Sequence, residues 1–412
     1  MILRPKIYLL HVFVLLTALA CAGTPQASPT FTKDILPILQ TRCQPCHRPG
    51  EIGPMPLITY EQTRPWGKAM VDAIKSGKMP PWFADKCCGE FSPGHTLKPE
   101  EIAAIDAWVA GGSLEGKKKD APRPIAWAND WKIDGPSVVV SVPHAFEVPA
   151  NAKIDDQYVI LSIDLAEDKW ASAIEIHPSD RSVVHYAVLY MRPKQSSWLR
   201  NVPRLTMYAA PSGSITPEDS TEILAVYTPG SPAAIWPEGM GKKLPAGSDL
   251  VLQLHYSAKK IAATDRTSVG INFLKERPAH RVLTLQMQGQ AIVIPPGATG
   301  YRAQASGVLP RDVMLLSMSP HIERHATSCD YAIVQPGGSV ETLLRVKPQD
   351  SFWQTSYPLK TPKVLPKGAR VMFTGYFDNS ANNPETEAIT GFFDVAVEAT
   401  VDKVPFVSSP AP

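Results

Sequence analysis

The chain has 412 residues, enough for two or three domains, and 44% of them are apolar, which is ample for packed cores. Its 41 prolines favour short elements joined by turns over long helical bundles. Two of the 41 Lys and Arg residues lie in the first 22 residues, so the rest of the chain sets 39 cations against 39 acids. Phosphate binding requires a basic surplus, so this balance argues against nucleic acid as a partner.

Residues 1–22 have the pattern of an export signal. Two cations precede an uncharged, largely apolar run of 14 residues at 7–20, and small residues stand at 18 and 20, the positions that signal peptidase reads. The run is short for a bilayer span. We therefore expect a periplasmic or otherwise exported protein. The alternatives are a single N-terminal anchor, or a lipid anchor on Cys21, which is the only membrane attachment that we consider for the mature chain.

Residues 23–115 are predicted to form a small all-α domain that carries the pattern Cys-Gln-Pro-Cys-His at 43–47. Cys43 and Cys46 are three residues apart and share a face of a helical turn, so each thiol can add to a vinyl group of one haem. His47 follows directly and lies under the iron as an axial ligand. The sequence therefore predicts covalently attached haem c, with iron as its metal.

The second axial ligand is predicted to be Met79, with Met55 as the alternative, because a thioether opposite histidine is usual and raises the potential of the iron. Either methionine could instead be ordinary core packing. A helix is predicted over 97–112, opened by Pro99 and ended by Gly111. The order of haem motif, methionine loop and closing helix resembles small class I cytochromes c.

The charged, proline-containing segment 116–126 is predicted to be a linker. Beyond it, short apolar strands alternate with turns and no helical periodicity intervenes, which is typical of β-sandwiches. About 270 residues with this pattern of strands and turns predict two all-β sandwich domains, at 127–280 and 281–400, followed by a tail at 401–412. The predicted strands lie at 137–142, 158–165, 183–191, 249–257, 282–287, 312–318, 369–377 and 392–400.

Three cysteines remain outside the haem motif and residues 1–22, namely Cys87, Cys88 and Cys329. An oxidising compartment permits disulfides. A bridge between the adjacent Cys87 and Cys88 would be strained, so we expect that one of them is free or paired elsewhere, and a vicinal bridge is the alternative.

Nearly the whole mature chain resembles bacterial proteins that fuse a cytochrome c domain to a copper type II, ascorbate-dependent monooxygenase module. Peptidylglycine hydroxylating monooxygenase is a better known relative of this module. The resemblance implies two jelly-roll-like sandwiches, each of which contributes one copper site across a solvent cleft. The segments that carry it are RCQPCHRPGEIGPM, YEQTRPW, KMPPWFAD, VVHYAVLY, PEGMGKKLPAGSDLVLQLHYS, IPPGATGYR, SMSPH, WQTSYPL and FDNSANNP.

The resemblance implies copper ligands, several of which are replaced in this chain. The electron-storage copper of the family uses a His-His pair and a distant His, which correspond here to His185-Tyr186 and to His255. The oxygen-binding copper uses His-x-His, which reads His321 and Glu323 here, and a later Met whose position falls near 388–389, where the chain has Ala and Ile. His325, His177 and Met318 are candidate substitutes. Carboxylate is a harder ligand than imidazole or thioether and disfavours Cu(I).

Two functions follow from these features. In the first, electrons enter through the haem and pass to copper in the β module, which oxidises a small organic substrate as a monooxygenase-like oxidoreductase. In the second, the protein is a non-catalytic electron-transfer or ligand-binding protein whose β module has lost its copper chemistry. Both require a redox partner protein or a small-molecule electron donor.

Overall fold

A computed structural model describes residues 28–92, 96–125, 131–210, 221–289, 291–322, 325–348, 354–380, 384–387 and 389–410. The predicted export signal at 1–22 and the candidate lipid anchor Cys21 lie outside the described residues, as do Glu323 and Ala388. None of the described helices combines the length and the apolar character needed to cross a bilayer.

The helices lie near the N-terminus and pack around one small apolar cluster. The bounds are a π-helical turn Phe31–Ile35, α1 Leu36–Arg42, α2 Tyr60–Thr63, a 3-10 turn Arg64–Trp66, α3 Gly67–Lys75, α4 Pro99–Ala110 and a 3-10 turn Lys118–Asp120. We refer to residues 31–110 as the helical segment. The buried members of its cluster are Phe31, Ile35, Leu39, Leu57, Met70, Ile105 and Trp108.

The predicted helix at 97–112 is present as α4. Pro99 opens it at the first helical position, where no backbone N–H is needed. The Glu101 carboxylate accepts a hydrogen bond from the Lys98 backbone N–H at 2.7 Å and so satisfies one of the donors at the helix start. Ile105 and Trp108, three residues apart, are fully buried on one face.

The remainder of the described chain is predominantly β. The strands are β1 Val138–Ser141, β2 Phe146–Val148, β3 Asp156–Ser162, β4 Lys169–His177, β5 Val184–Arg192, β6 Tyr208–Ala210, β7 Glu222–Tyr227, β8 Ala234–Ile235, β9 Met240–Leu244, β10 Asp249–Tyr256, β11 Ala263–Asp265, β12 Ser268–Phe273, β13 His280–Gln288, β14 Ile292–Ile294, β15 Tyr301–Val308, β16 Val313–Ile322, β17 Ala326–Val334, β18 Val340–Val346, β19 Tyr357–Leu365, β20 Arg370–Phe377, β21 Glu385–Glu387, β22 Ile389–Glu398 and β23 Ser408–Pro410. Each of the eight predicted strands is found, with ends shifted by a few residues.

Two β-sandwiches share one long sheet of order β1-β12-β4-β9-β13-β22-β16-β19, to which β8 adds at β4. A five-stranded sheet, β6-β3-β10-β5-β7, faces its first half across one apolar core, and we call this the N-terminal sandwich. A second five-stranded sheet, β18-β17-β20-β15-β23, faces the other half across a second core, and we call this the C-terminal sandwich. The parallel pair β9 and β13 joins the two halves.

A disulfide joins Cys87 to Cys88, so the expectation that one of them is free or paired elsewhere was wrong. The Asp85 side chain accepts a hydrogen bond from the Cys87 backbone N–H at 3.0 Å, and this holds the turn that brings the two thiols together. Cys329 is fully buried in the core of the C-terminal sandwich.

Candidate functional site

The Cys43–His47 turn continues the chain directly from α1. The backbone N–H groups of Cys46 and His47 both donate to the Cys43 carbonyl, at 3.1 and 2.8 Å, so the two cysteines and the histidine lie on one tight turn. Both thiols are partly buried and neither is in a disulfide. This local geometry is the one that the sequence pattern predicts.

The loop after the turn folds back and covers it. The Gln44 side chain is buried and donates to the Leu57 carbonyl at 2.8 Å, while the Leu57 N–H donates to the His47 carbonyl at 2.9 Å. The Gly53 N–H donates to the Cys46 carbonyl at 2.9 Å. These bonds hold the loop against the turn and so fix its orientation.

The His47 imidazole is held in one orientation by its Nδ1 atom, which lies 3.1 Å from the Met55 carbonyl oxygen. A carbonyl only accepts, so the hydrogen bond requires the proton on Nδ1 and leaves the Nε2 lone pair open. Burial lowers the pKa of His47, which further favours the neutral ring. A neutral imidazole with its second nitrogen fixed by a carbonyl is the form that ligates a metal.

Gly53 is a residue that sequence reasoning missed. A Cβ atom at this position would lie 2.6 Å from the Cys46 carbonyl oxygen and 2.8 Å from Nδ1 of His47, closer than atoms approach. The backbone at Gly53 therefore packs directly against the imidazole, and the position requires glycine for steric reasons. A glycine six residues after the motif is the signal that could have identified it.

Both thiols are removed from water by burial. Burial raises the pKa of Cys43 to about 12, and burial also raises the pKa of Cys46. The thiols are therefore uncharged at neutral pH, unlike the thiolates of redox-active Cys-x-x-Cys motifs. Cys43 packs against the apolar cluster of the helical segment, an environment that suits a large apolar macrocycle.

The two candidate methionines lie in different places relative to His47. Met55 is partly buried against the helical cluster, and its carbonyl contacts Nδ1 of His47, on the side of the ring away from Nε2. Met79 is partly buried and follows α3, where its N–H donates to the Ala73 carbonyl at 3.2 Å.

In the N-terminal sandwich, a β-bulge brings two predicted copper ligands together. On β5 and β10, Tyr186 pairs with His255 but Val184 pairs with Tyr256, so His185 is an extra residue on β5. Bulges re-aim side chains in this way. The ring centroids of His185 and His255 are 5.6 Å apart, and the Tyr186 ring stacks on His255 at 4.8 Å with an interplanar angle of 5°.

Asp156 supports this cluster from β3 and was also missed by sequence reasoning. Its fully buried carboxylate accepts from Nδ1 of His255 at 2.7 Å, from the Gln253 side chain at 2.9 Å and from the Tyr186 hydroxyl at 3.3 Å. The contact with His255 places the proton on Nδ1 and leaves Nε2 open, as in carboxylate–histidine–metal arrangements.

His321, on β16 of the C-terminal sandwich, also contacts this cluster. Its ring makes an edge contact with Tyr186 at 4.8 Å. Burial, together with repulsion from His185 and His255, lowers the pKa of His321 to about 4, although a hydrogen bond with the Gln354 side chain opposes the shift. The two predicted copper positions thus adjoin each other across the contact between the sandwiches.

The candidate substitute ligands for the second copper position contact other residues. His325 is paired with Glu387 at 2.6 Å, and His177 contacts Arg181 at 3.1 Å in the N-terminal sandwich. Met318 is fully buried in the C-terminal core. Ile389, beside the expected methionine position, is buried and pairs with Ile322.

Within the described ranges, no group of three or more histidine, cysteine, aspartate or glutamate side chains is arranged to hold a metal ion. At the first copper position the structure therefore brings together two imidazoles and a tyrosine in the place of the third.

Comparisons with known proteins identify no family. No model of a protein family matches the chain, and no curated protein matches it. Among solved structures, N-glycanase F (PNGase F) is similar at 11% identity over 66% of this chain and 98% of its own, with a TM-score of 0.31. PNGF-II is similar at 10% identity over 63% and 65%, with a TM-score of 0.30. The VP2 subviral particle of infectious bursal disease virus is similar at 7% identity over 67% and 76%, with a TM-score of 0.22. Scores this low carry no argument.

Proposed function

We propose that the chain is an exported redox protein that carries one c-type haem, bound through thioether bonds to Cys43 and Cys46 and ligated by His47. The observation that supports this most strongly is the hydrogen bond between Nδ1 of His47 and the Met55 carbonyl, which orients a neutral imidazole beside two uncharged thiols. On this proposal, residues 23–115 form a cytochrome c domain of class I type.

The haem supplies a one-electron redox centre, and the residues of the chain hold and orient it. The two cysteines fix the macrocycle to the turn, Gly53 leaves room for the imidazole, and the Met55 carbonyl keeps the Nδ1 proton in place. The Met55 backbone lies on the Nδ1 side of His47, whereas the nitrogen that would bind the iron is Nε2. This favours Met79 as the second axial ligand.

The axial assignment is tested by comparing two methionine variants of the full holoprotein. We expect Met79→Ala to abolish the red-shifted Met–iron absorption band and to lower the midpoint potential, since a thioether ligand raises it. Met55→Leu, a volume-conserving change on the same helical cluster, should retain both properties. The assignment to Met79 is wrong if the band survives in Met79→Ala and disappears in Met55→Leu.

A second candidate function concerns the β module, which we propose to be the copper monooxygenase-like module with jelly-roll-like sandwiches. The bulge that brings His185 to His255, and the Asp156 carboxylate behind His255, favour copper there as an electron relay. His321 and Glu323 mark the second position. Because the second position has Glu323 in place of a histidine and lacks the later methionine, we assign no hydroxylation step. Electrons then come from a redox protein or a small molecule. A small organic substrate is expected only if the module binds two coppers.

Copper per haem in the copper-loaded, dialysed protein tests this second function. One copper that is lost in His255→Ala and retained in His280→Ala, a histidine at the start of β13, supports the relay. Two coppers per haem support an oxygen-activating enzyme. No copper leaves a c-type cytochrome joined to a scaffold that has lost its metal chemistry.

A further inference from the structure

The segment that follows Met79 joins the helical segment to the C-terminal sandwich. We call residues 82–92 the anchor segment. On the N-terminal side of Met79, the N–H groups of Lys78 and Met79 both donate to the Ala73 carbonyl near the end of α3. On the other side, only Pro80 and Pro81 separate Met79 from Trp82. Met79 therefore lies between two attached elements.

The anchor segment pairs with two strands of the C-terminal sandwich. Ala84 forms an antiparallel bridge with Val346 at the end of β18, and Phe91 forms one with Leu359 on β19. Such pairing uses the free backbone groups of sheet edges. The four backbone hydrogen bonds run from Lys347 to Phe83 (3.0 Å), from Asp85 to Arg345 (2.8 Å), from Lys360 to Glu90 (2.8 Å) and from Ser92 to Pro358 (2.9 Å).

Side chains of the anchor segment pack in the core of the C-terminal sandwich. Phe83 is buried, and it belongs to the same apolar cluster as the strands of that sandwich. The rings of Trp82 and Phe91 both pack on Tyr357, with centroids 4.9 and 5.8 Å away. The contact is therefore a packed interface, and Trp82 is the member nearest in sequence to Met79.

The two prolines restrict the chain between Met79 and the attached Trp82. Each proline ring fixes φ, so the chain between Met79 and Trp82 has little rotational freedom. The Trp82 N–H donates to the Pro80 carbonyl at 2.8 Å, which closes the turn. The position of Met79 is consequently restricted by where Trp82 packs.

The His47 side of the helical segment is attached to the other sandwich. Glu51, four residues after His47, accepts from Arg48 at 2.7 Å and from Arg181, which follows β4 of the N-terminal sandwich. The side chain of Glu51 is 7% exposed, and those of the two arginines 12% and 11%. Arg181 also contacts Nδ1 of His177 at 3.1 Å.

We propose that the C-terminal sandwich positions Met79 through the anchor segment while the N-terminal sandwich fixes the His47 side through Arg181, so that methionine ligation depends on these two attachments. The proposal rests on the proposed haem function. Trp82 and Phe83 are positioning residues: they do not touch the iron, and they act by restricting where the Met79 thioether can lie.

The test compares Trp82→Ala with Phe406→Ala in the full-length holoprotein. Phe406 is a matched control because it too is a partly buried aromatic residue that packs on the C-terminal core, where it meets Phe393 at 5.3 Å. We expect both variants to bind haem covalently and to unfold at a lower temperature than the wild type. Only Trp82→Ala should lose the Met–iron band at room temperature and show a lower midpoint potential.

Two results overturn the proposal in distinguishable ways. If the wild type carries covalent haem with a Met–iron band and Trp82→Ala retains both the band and the potential, the anchor segment does not position Met79 and the haem function stands. If the wild type has no covalent haem, the proposed function is wrong and the positioning role is lost with it.

Discussion

Gly53→Ala should displace the His47 imidazole, because the new methyl carbon would lie 2.6 Å from the Cys46 carbonyl oxygen and 2.8 Å from Nδ1 of His47. Overpacking of this kind costs about 1–3 kcal/mol, and loss of the hydrogen bond from His47 to Met55 adds about 1 kcal/mol. We therefore expect the free energy of unfolding to fall by about 2–4 kcal/mol and the variant to mature with less covalent haem than the wild type.

Gly50→Ala is the matched control on the same loop. A Cβ at Gly50 meets no atom within 4 Å, but its φ of +82° imposes a left-handed conformation that costs an alanine about 1–2 kcal/mol. The assays are urea unfolding and covalent haem per polypeptide, with the absorption spectrum as a measure of axial ligation. If Gly53→Ala matches Gly50→Ala in haem content and spectrum, the imidazole does not depend on the space that Gly53 provides.

Two further predictions concern the partly buried ring of His321 and the buried carboxylate of Glu51. In copper-free protein, the lowered pKa of His321, about 4 against an ordinary 6.5, means that the unfolded chain binds a proton that the folded chain does not. The free energy of unfolding should therefore fall as pH drops from 6.5 towards 4, by up to about 3 kcal/mol and by less if water reaches the partly exposed ring. A His321→Gln variant whose free energy of unfolding in urea has the same pH slope as that of the wild type would contradict this. Glu51→Gln should cost about 3 kcal/mol because it leaves Arg48 and Arg181 without their shared carboxylate. Asp106→Asn, which breaks the exposed pair with Lys75, should cost less than about 1 kcal/mol, and equal losses in the two variants would refute the role of Glu51.

Local patterns in the sequence were sufficient to predict most of the elements. Short apolar runs separated by turn signals located eight strands, and Pro99 with the glycines after Ala110 located α4 to within a few residues. The tight turn at Cys43–His47 follows from the spacing of the motif itself. Each of these features depends on residues that are close in the chain, which is why a single sequence sufficed.

The arrangement of the sites depends on pairing between distant segments, which no local pattern encodes. The bulge at His185 arises from the register between β5 and β10, and the Asp156 carboxylate reaches His255 across 99 positions of the chain. The anchor segment was read only as part of the helical domain, yet its backbone pairs with strands about 260 residues further on. The vicinal disulfide was judged unfavourable because the turn held by Asp85 could not be anticipated.

Covalent haem content under denaturing conditions tests the central claim most directly. The full chain, exported in a host that matures c-type cytochromes, is denatured and analysed by intact mass together with the haem absorption of the separated polypeptide. We predict that one haem stays attached in the wild type and that none stays attached in a Cys43→Ala, Cys46→Ala double variant. A wild-type chain that releases all haem on denaturation, or that has bound none, would contradict the assignment of Cys43, Cys46 and His47 as a c-type haem site.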